Sequence, residues 1–278
     1  MILIFKFLVF FMLAISLKAN AENWEELKRL VEEKLKEPAI ITRSNDVIYF
    51  KGSLWGQNIS RLLLEFENGE PGLLIINSGG GHILGAIEIG EKINQLNMDV
   101  EVEELCASSC ANYIFTAGKR KKINEGAVVI WHGDGQQKSF REYNFCKKAK
   151  SRYSGYVREV TNEEVEDGLK TIELEKQFYE KLGVSSYIAR AAQEPYFYNR
   201  NVTYTVEDMR VFGVHNVIAV SDYGTAEFCA RHNKENSGSN ILCLPVSSNM
   251  LAYENARVTL GEVCRDDGSL VINSRLLN

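Results

Sequence analysis

The sequence is poor in proline and in histidine, and acidic residues outnumber basic ones, 37 to 32. Four prolines among 278 residues leave no Pro-rich linker or stalk, and the 21 glycines follow no collagen-like period. Formal charge is −5, and the longest basic run is Lys119-Arg120-Lys121-Lys122. A nucleic-acid binder normally carries a strongly basic face, so no nucleic-acid partner is expected. No Cys-x-x-Cys occurs, and Cys106-x-x-x-Cys110 has no second pair nearby, so no metal site is expected. No stretch reaches the ~20 apolar residues of a membrane span. What is there is an ordinary globular composition, 45% hydrophobic and 25% charged, with length for one or two domains and a real core.

Met1 to Ala21 has the layout of a secretory signal. Lys6 precedes an apolar run from Phe7 to Leu17, and Ala19-Asn20-Ala21 supplies small residues before a cut after Ala21. The apolar run is about half the length of a membrane anchor. Cleavage removes Lys6 and Lys18 and no acid, which leaves an acidic, exported chain, periplasmic or secreted. All six cysteines (Cys106, Cys110, Cys146, Cys229, Cys243, Cys264) lie beyond the cut, and an even count in an oxidising compartment suggests disulfides. Their connectivity stays open, although Cys229 and Cys243 make a plausible local pair around a loop rich in Asn, Ser and Gly.

Hydrophobic periodicity predicts alternating elements. Residues 24–37 read as an amphipathic helix, Ile40–Ile41 and Val47–Phe50 as strands, and Ile59 to Phe66 as a helix closed by Gly69 and Pro71. Leu73-Leu74-Ile75-Ile76 has the uniform apolarity of a strand covered on both faces. A helix follows over His82–Leu96, then a strand at Val100–Val102, a helix at Ser109–Phe115 and a strand at Val128–Trp131. Residues 133–162 turn polar without clear period and read as an insertion or lid. Helices return over Val165–Leu182 and Val184–Ala192. Beyond Val220, short β-like runs at Ile241–Pro245 and Leu270–Ile272 and half of the cysteines suggest a small C-terminal extension, residues 221–278. Buried strands joined by crossover helices make an α/β pattern.

Three separated segments can form one acyl-transfer site. Ile76-Asn77-Ser78-Gly79-Gly80-Gly81 is a glycine loop between strand and helix. Its exposed amides suit an oxyanion; it lacks the last glycine of a dinucleotide fingerprint and the Gly-Lys-Ser/Thr of a P-loop. Cys106-Ala107-Ser108-Ser109-Cys110-Ala111 sets two serines where a strand turns into a helix, either as an N-cap or as a nucleophile. Ile130-Trp131-His132-Gly133 ends a buried strand on histidine, one of only four in the chain.

In this order the segments resemble the proteolytic subunit of Clp protease and its exported relatives in the ClpP/crotonase superfamily, most closely over residues 72–133 and more loosely to 220. That family carries Ile-Asn-Ser-x-Gly-Gly, matched by Ile76 to Gly81, and Met-Ile-His, similar to Ile130-Trp131-His132. Its nucleophile segment ends in Thr-Ala-Gly, as does Ser108 to Gly118 here, and an ungapped count back from Thr116-Ala117-Gly118 puts the nucleophile on Ser109. The resemblance implies a spiral of β-strands and crossover helices over residues 22–220. It also implies a serine peptidase in which Ser109 attacks, His132 acts as base, and the amides of Gly80 and Cys110 hold the oxyanion. Extended peptides would lie beside Gly79, Gly81 and His82.

The family's third residue, an aspartate, has no counterpart; counting from Gly213-Val214 lands on Phe197. Glu194 or Asn199 could orient His132 instead, and Lys147, Lys148 and Lys150 keep open the Ser-Lys dyad of signal-peptide peptidases. No cofactor is expected. Outside the cytoplasm there is no ATP for an unfoldase, so the expected substrates are flexible peptides or unfolded protein, with no ATPase partner. Homo-oligomers are common in the family. The alternative is a catalytically inactive module that binds peptide or protein in the same cleft. A crotonase-type acyl-CoA enzyme comes third, because it needs a cytoplasmic cofactor and no nucleophilic serine. Cys106 and Cys110 flank the serines, and a bridge between them would stiffen that turn at the cost of some helix distortion.

Overall fold

The computed structural model describes residues 37–146, 148–150, 157–159, 161–194, 201–236, 239–265 and 269–273. The signal segment, nearly all of the helix expected at 24–37, Lys147 and Asn199 lie outside the described residues.

The chain forms a mixed α/β fold around a mostly parallel sheet. A hairpin opens it: β1 (Ile40–Ser44) pairs antiparallel with β2 (Val47–Lys51) across Asn45, which takes the positive φ that Asn tolerates in a tight turn. Helix α1 (Gln57–Glu67) crosses over to β3 (Leu73–Ser78), which lies parallel to β2. Helix α2 (Ile83–Gln95) crosses over again to β4 (Asp99–Ala107), parallel to β3. Leu74 and Ile76 of β3 are fully buried, as are Ile89 and Ile93 of α2. At ~25 cal/mol per Å² of apolar area, this burial between sheet and helices is the main force holding the layers together.

Strand β4 divides the sheet in two. Its first half pairs with β5 (Lys121–Ile123), which in turn pairs with β10 (Val217–Ile218). Its second half pairs with β6 (Val128–Ile130), in the register Leu105 to Val128 and Ala107 to Ile130. Between the halves β3 advances from Ile76 to Ser78 while β4 advances from Val102 to Cys106. Such an irregularity re-aims a strand. The displaced acids are held by polar neighbours: Asn77 donates to Glu104 at 2.7 Å and Tyr49 to Glu103 at 2.7 Å.

The stretch expected as an insertion without periodicity contains a helix, α3 (Lys138–Cys146), followed by a β7–β8 hairpin (Lys148–Lys150 with Val157–Glu159). Arg141 of α3 is 3% exposed and pairs with Glu194 and Glu262. A buried guanidinium is not read by a search for apolar spacing. Helix α4 (Asn162–Leu182) begins at a reciprocal Thr161/Glu164 capping box and ends on Gly183 in the left-handed conformation. It is followed by α5 (Tyr187–Arg190), β9 (Asn201–Thr203) and α6 (Val206–Val211).

The C-terminal part is fastened to the rest by backbone, charge and sulfur. It comprises α7 (Ala226–Glu235), β11 (Ile241–Cys243), α8 (Ser248–Leu260), β12 (Glu262–Cys264) and β13 (Leu270–Ile272). Strand β11 lies parallel to β9, and β12 pairs with β13. All six cysteines are bridged: Cys106–Cys110, Cys146–Cys264 and Cys229–Cys243. Three disulfides are typical of an oxidising, extracytoplasmic compartment. No helix among the described residues is long and apolar enough to cross a membrane.

Candidate active site

The ends of β3, β4 and β6 bring the three segments together. Beyond Ile76 the apolar run of β3 gives way to Asn77 and Ser78. The Ser78 hydroxyl accepts the Gly80 N–H at 3.1 Å, which closes a tight turn. Gly80 has φ +90°, and a Cβ there would lie 2.8 Å from Cβ of Ser108 and 2.9 Å from the Ser109 nitrogen. Only glycine allows the loop to lie directly on the 107–109 turn. On its other side the loop is tied to the chain after β2, through Leu54 N–H to Gly80 O at 2.9 Å and His82 N–H to Leu54 O at 2.8 Å.

The serine turn is sharp. Ser108 has φ +58°, in the left-handed region that serine seldom adopts. Its N–H donates to Ile130 O at 2.9 Å and its carbonyl accepts from Asn112 N–H at 2.9 Å. It is partly exposed, whereas Ser109 is 3% exposed and donates its hydroxyl to Gly81 O at 2.7 Å. Cys110 is buried and bridged to Cys106, with Cα atoms 5.2 Å apart across the turn. The helix that follows, Cys110–Phe115, is a π-helix, so the expected helix is present but wound one residue wider per hydrogen bond than an α-helix.

His132 leaves β6 on the side opposite Trp131. Alternation along the strand sends Trp131 into the core against Phe115 and Tyr204, and leaves His132 partly exposed at the rim. Two carboxamides hold the main chain there. The Gln193 amide donates to His132 O, and the Asn112 amide donates to Gly133 O at 2.9 Å. Gly133 has φ +128°, and a Cβ would press on the Gln137 and Gln193 side chains. Burial holds the imidazole pKa below its usual 6.5. A desolvated, neutral imidazole can accept a proton at neutral pH.

The remaining residues singled out from the sequence fall elsewhere around this centre. Gly79 and Gly81 belong to the loop itself. His82 is exposed and caps α2, its Nδ1 accepting Gly85 N–H at 3.2 Å, with its ring edge-on to Trp55. Glu194 is buried and its charge is balanced by Arg141 at 3.0 Å; it also accepts from Lys138 N–H at 2.5 Å and from the Tyr253 hydroxyl at 3.2 Å. Lys148 and Lys150 are strand residues of β7.

Behind His132 lies a buried charge lattice that the sequence did not announce. Asp134 pairs with Arg190 at 2.9 Å, both fully buried, and Arg190 reaches on to Glu254 of α8 at 2.5 Å. Glu175 accepts from Tyr113 and from Gly135 N–H. Burial, reinforced by the Asp134 charge, pushes the Glu175 carboxyl up to about 8. Asn112 and Gln193 were likewise missed: one carboxamide among apolar neighbours and one beside a glutamate carry no spacing signal.

No protein-family model matches the sequence, and no curated protein matches it.

Proposed function

We propose that this chain is an exported, ATP-independent serine peptidase of the ClpP/crotonase type, acting in a periplasmic or extracellular setting on flexible peptides or unfolded protein. A serine hydroxyl of the 108–109 turn is the nucleophile and His132 the base. One observation carries the reading: Gly80 lies against the serine turn, and that turn is hydrogen-bonded to β6 two residues before His132. A hydroxyl, an imidazole and main-chain amides are the parts that acyl transfer needs. The crossover connections from β2 through β4 and the disulfides support the fold type and the compartment.

In this mechanism the carbonyl of an extended peptide sits at the rim, over the line where loop and turn meet. The Gly80 N–H, which now donates to the Ser78 hydroxyl, exchanges a neutral hydrogen bond for a charge-assisted one when the oxyanion forms, and such bonds are roughly twice as strong. The Ser109 and Cys110 amides open the helix and are the other donors. Removing one oxyanion donor typically costs ~10²–10³ in rate. The test is reaction of the protein with a fluorophosphonate probe, comparing wild type with Ser109→Ala and His132→Ala. Labelling lost in His132→Ala supports the peptidase, and an unlabelled wild type removes it.

A second reading, an inactive module that binds peptide or protein in this cleft, is favoured by one observation. The Ser109 hydroxyl donates to a main-chain carbonyl, while the Glu194 carboxylate is engaged by Arg141. Saturable binding of unfolded peptide by an unlabelled wild-type protein is its signature.

A further inference from the structure

We infer that the nucleophile is Ser108 and that Ser109 positions the glycine loop. This assignment rests on the peptidase reading above and specifies its central residue.

The two hydroxyls differ in what they are free to do. Ser109 is 3% exposed, on regular right-handed backbone at φ −56°, and its hydroxyl proton is directed at Gly81 O, 2.7 Å away. That bond ties the serine turn to the glycine loop. A hydroxyl so engaged must break a buried hydrogen bond before it can hand its proton to a base. Ser108 is partly exposed at the apex of the turn, where a peptide carbonyl can reach it. Its Cβ borders the space a Gly80 side chain would fill, and its N–H bonds Ile130, so it stands between the loop and the strand that ends at His132.

The backbone supports the same choice. Among the described residues Ser108 is one of four non-glycine residues with positive φ; the other three are asparagines, which tolerate it. A serine held on a sharp, strained strand-to-helix turn is how a nucleophile is raised clear of its neighbours in hydrolases of unrelated fold. The π-helix opens a second register beside the one that favours Ser109. The count from Thr116-Ala117-Gly118 is ungapped, and a π-helix is where one inserted residue is accommodated. Allowing for one, the count moves back from Ser109 to Ser108.

The chemistry balances without any further reagent. The Ser108 oxygen bonds to the substrate carbonyl carbon as its proton passes to the imidazole of His132, and the carbonyl π pair moves to oxygen. Collapse of this adduct breaks the C–N bond, and the imidazolium returns the proton to the departing amine. Water then cleaves the acyl ester by the same route in reverse.

The experiment is fluorophosphonate labelling of the full mature protein, wild type, Ser108→Ala, Ser108→Gly, Ser109→Ala and His132→Ala, with the adduct located by peptide mass spectrometry. The expected adduct is on Ser108. Both Ser108 variants lose labelling by at least ~10²-fold, while Ser109→Ala, which frees the glycine loop from the Gly81 O tie but keeps the backbone N–H, loses no more than ~10-fold. Glycine suits the left-handed backbone, so Ser108→Gly is expected to unfold at the same temperature as wild type or higher, which separates loss of the nucleophile from loss of the fold. An adduct on Ser109, or labelling that survives in a folded Ser108→Gly, overturns the assignment and leaves the peptidase standing. A wild type that takes no label overturns both.

Discussion

The side-chain amide of Gln193 holds the main-chain carbonyl of His132, so the imidazole's place is set from behind, through the backbone. Gln193 is buried and belongs to the turn after α5, where its N–H donates to Arg190 O at 2.7 Å. Gln193→Ala is expected to cost ~1 kcal/mol of stability, the usual net worth of one hydrogen bond. It should slow fluorophosphonate labelling on the order of 10-fold well below the unfolding temperature, because misplaced groups react poorly. Rates and denaturation midpoints measured on the same preparation check this; an unchanged rate removes Gln193 from the positioning of His132.

Labelling should follow the neutral imidazole. Burial lowers the His132 pKa below 6.5, so the base is already deprotonated at pH 7 and the acid limb of the rate profile lies below pH 6.5. The sign for stability is the same. The unfolded chain binds the proton more readily, so the contribution of His132 is complete above pH 6.5 and lost as pH falls through the folded value. A profile of labelling rate between pH 4 and 8 gives the midpoint; one above 6.5 contradicts the burial argument.

Glu175 should impose the opposite slope. Its carboxyl is raised from 4.5 to about 8 by burial, so the folded state favours the protonated form. Its contribution is complete below pH 4.5 and declines as pH rises to about 8. Glu175→Gln, which keeps the shape without the titration, should flatten this part of the stability curve. Urea midpoints of both proteins at intervals from pH 4.5 to 8.5 make the comparison, and parallel curves would falsify the assignment.

Arg190 is the least replaceable residue of the lattice. Arg190→Met leaves Asp134 charged and buried with its partner gone, at a cost of ~3–5 kcal/mol. Adding Asp134→Asn to the same chain should restore part of that loss, since the two residues act as a unit. The four midpoints of this double-mutant cycle measure the coupling, and purely additive losses would show that the pair is not one.

The sequence revealed the parts of this molecule that are built from apolar burial. Leu73 to Ile76 reads as a strand because both faces of β3 are covered, and Ile83 to Ile93 as a helix because one side of α2 packs on the sheet. The glycine loop, the serine turn and the histidine strand were visible because each ends an element in an unusual residue. What stayed hidden is built from charge and hydrogen bonds. Helix α3 buries Arg141, and α8 is tied down through Glu254, and neither contact can be read from apolar spacing. The strand pairing β9–β11 joins short runs forty residues apart. The π-helix was illegible for another reason: Cys-Ala-Asn-Tyr-Ile-Phe has the composition of any buried helix, and an i-to-i+5 bond leaves no mark in spacing that short.

The bridge between Cys146 and Cys264 spans 118 positions of sequence. Every peptide bond from α3 to β12 lies inside that covalent ring, including the α4–α5 connection and the whole of α7 and α8. A single nick by a foreign enzyme inside the ring opens the chain without shedding a fragment, and the two pieces part only when a reductant reaches the sulfurs. For a chain that meets proteases, the ring turns a cut that would otherwise free the C-terminal piece into a scar the molecule can carry.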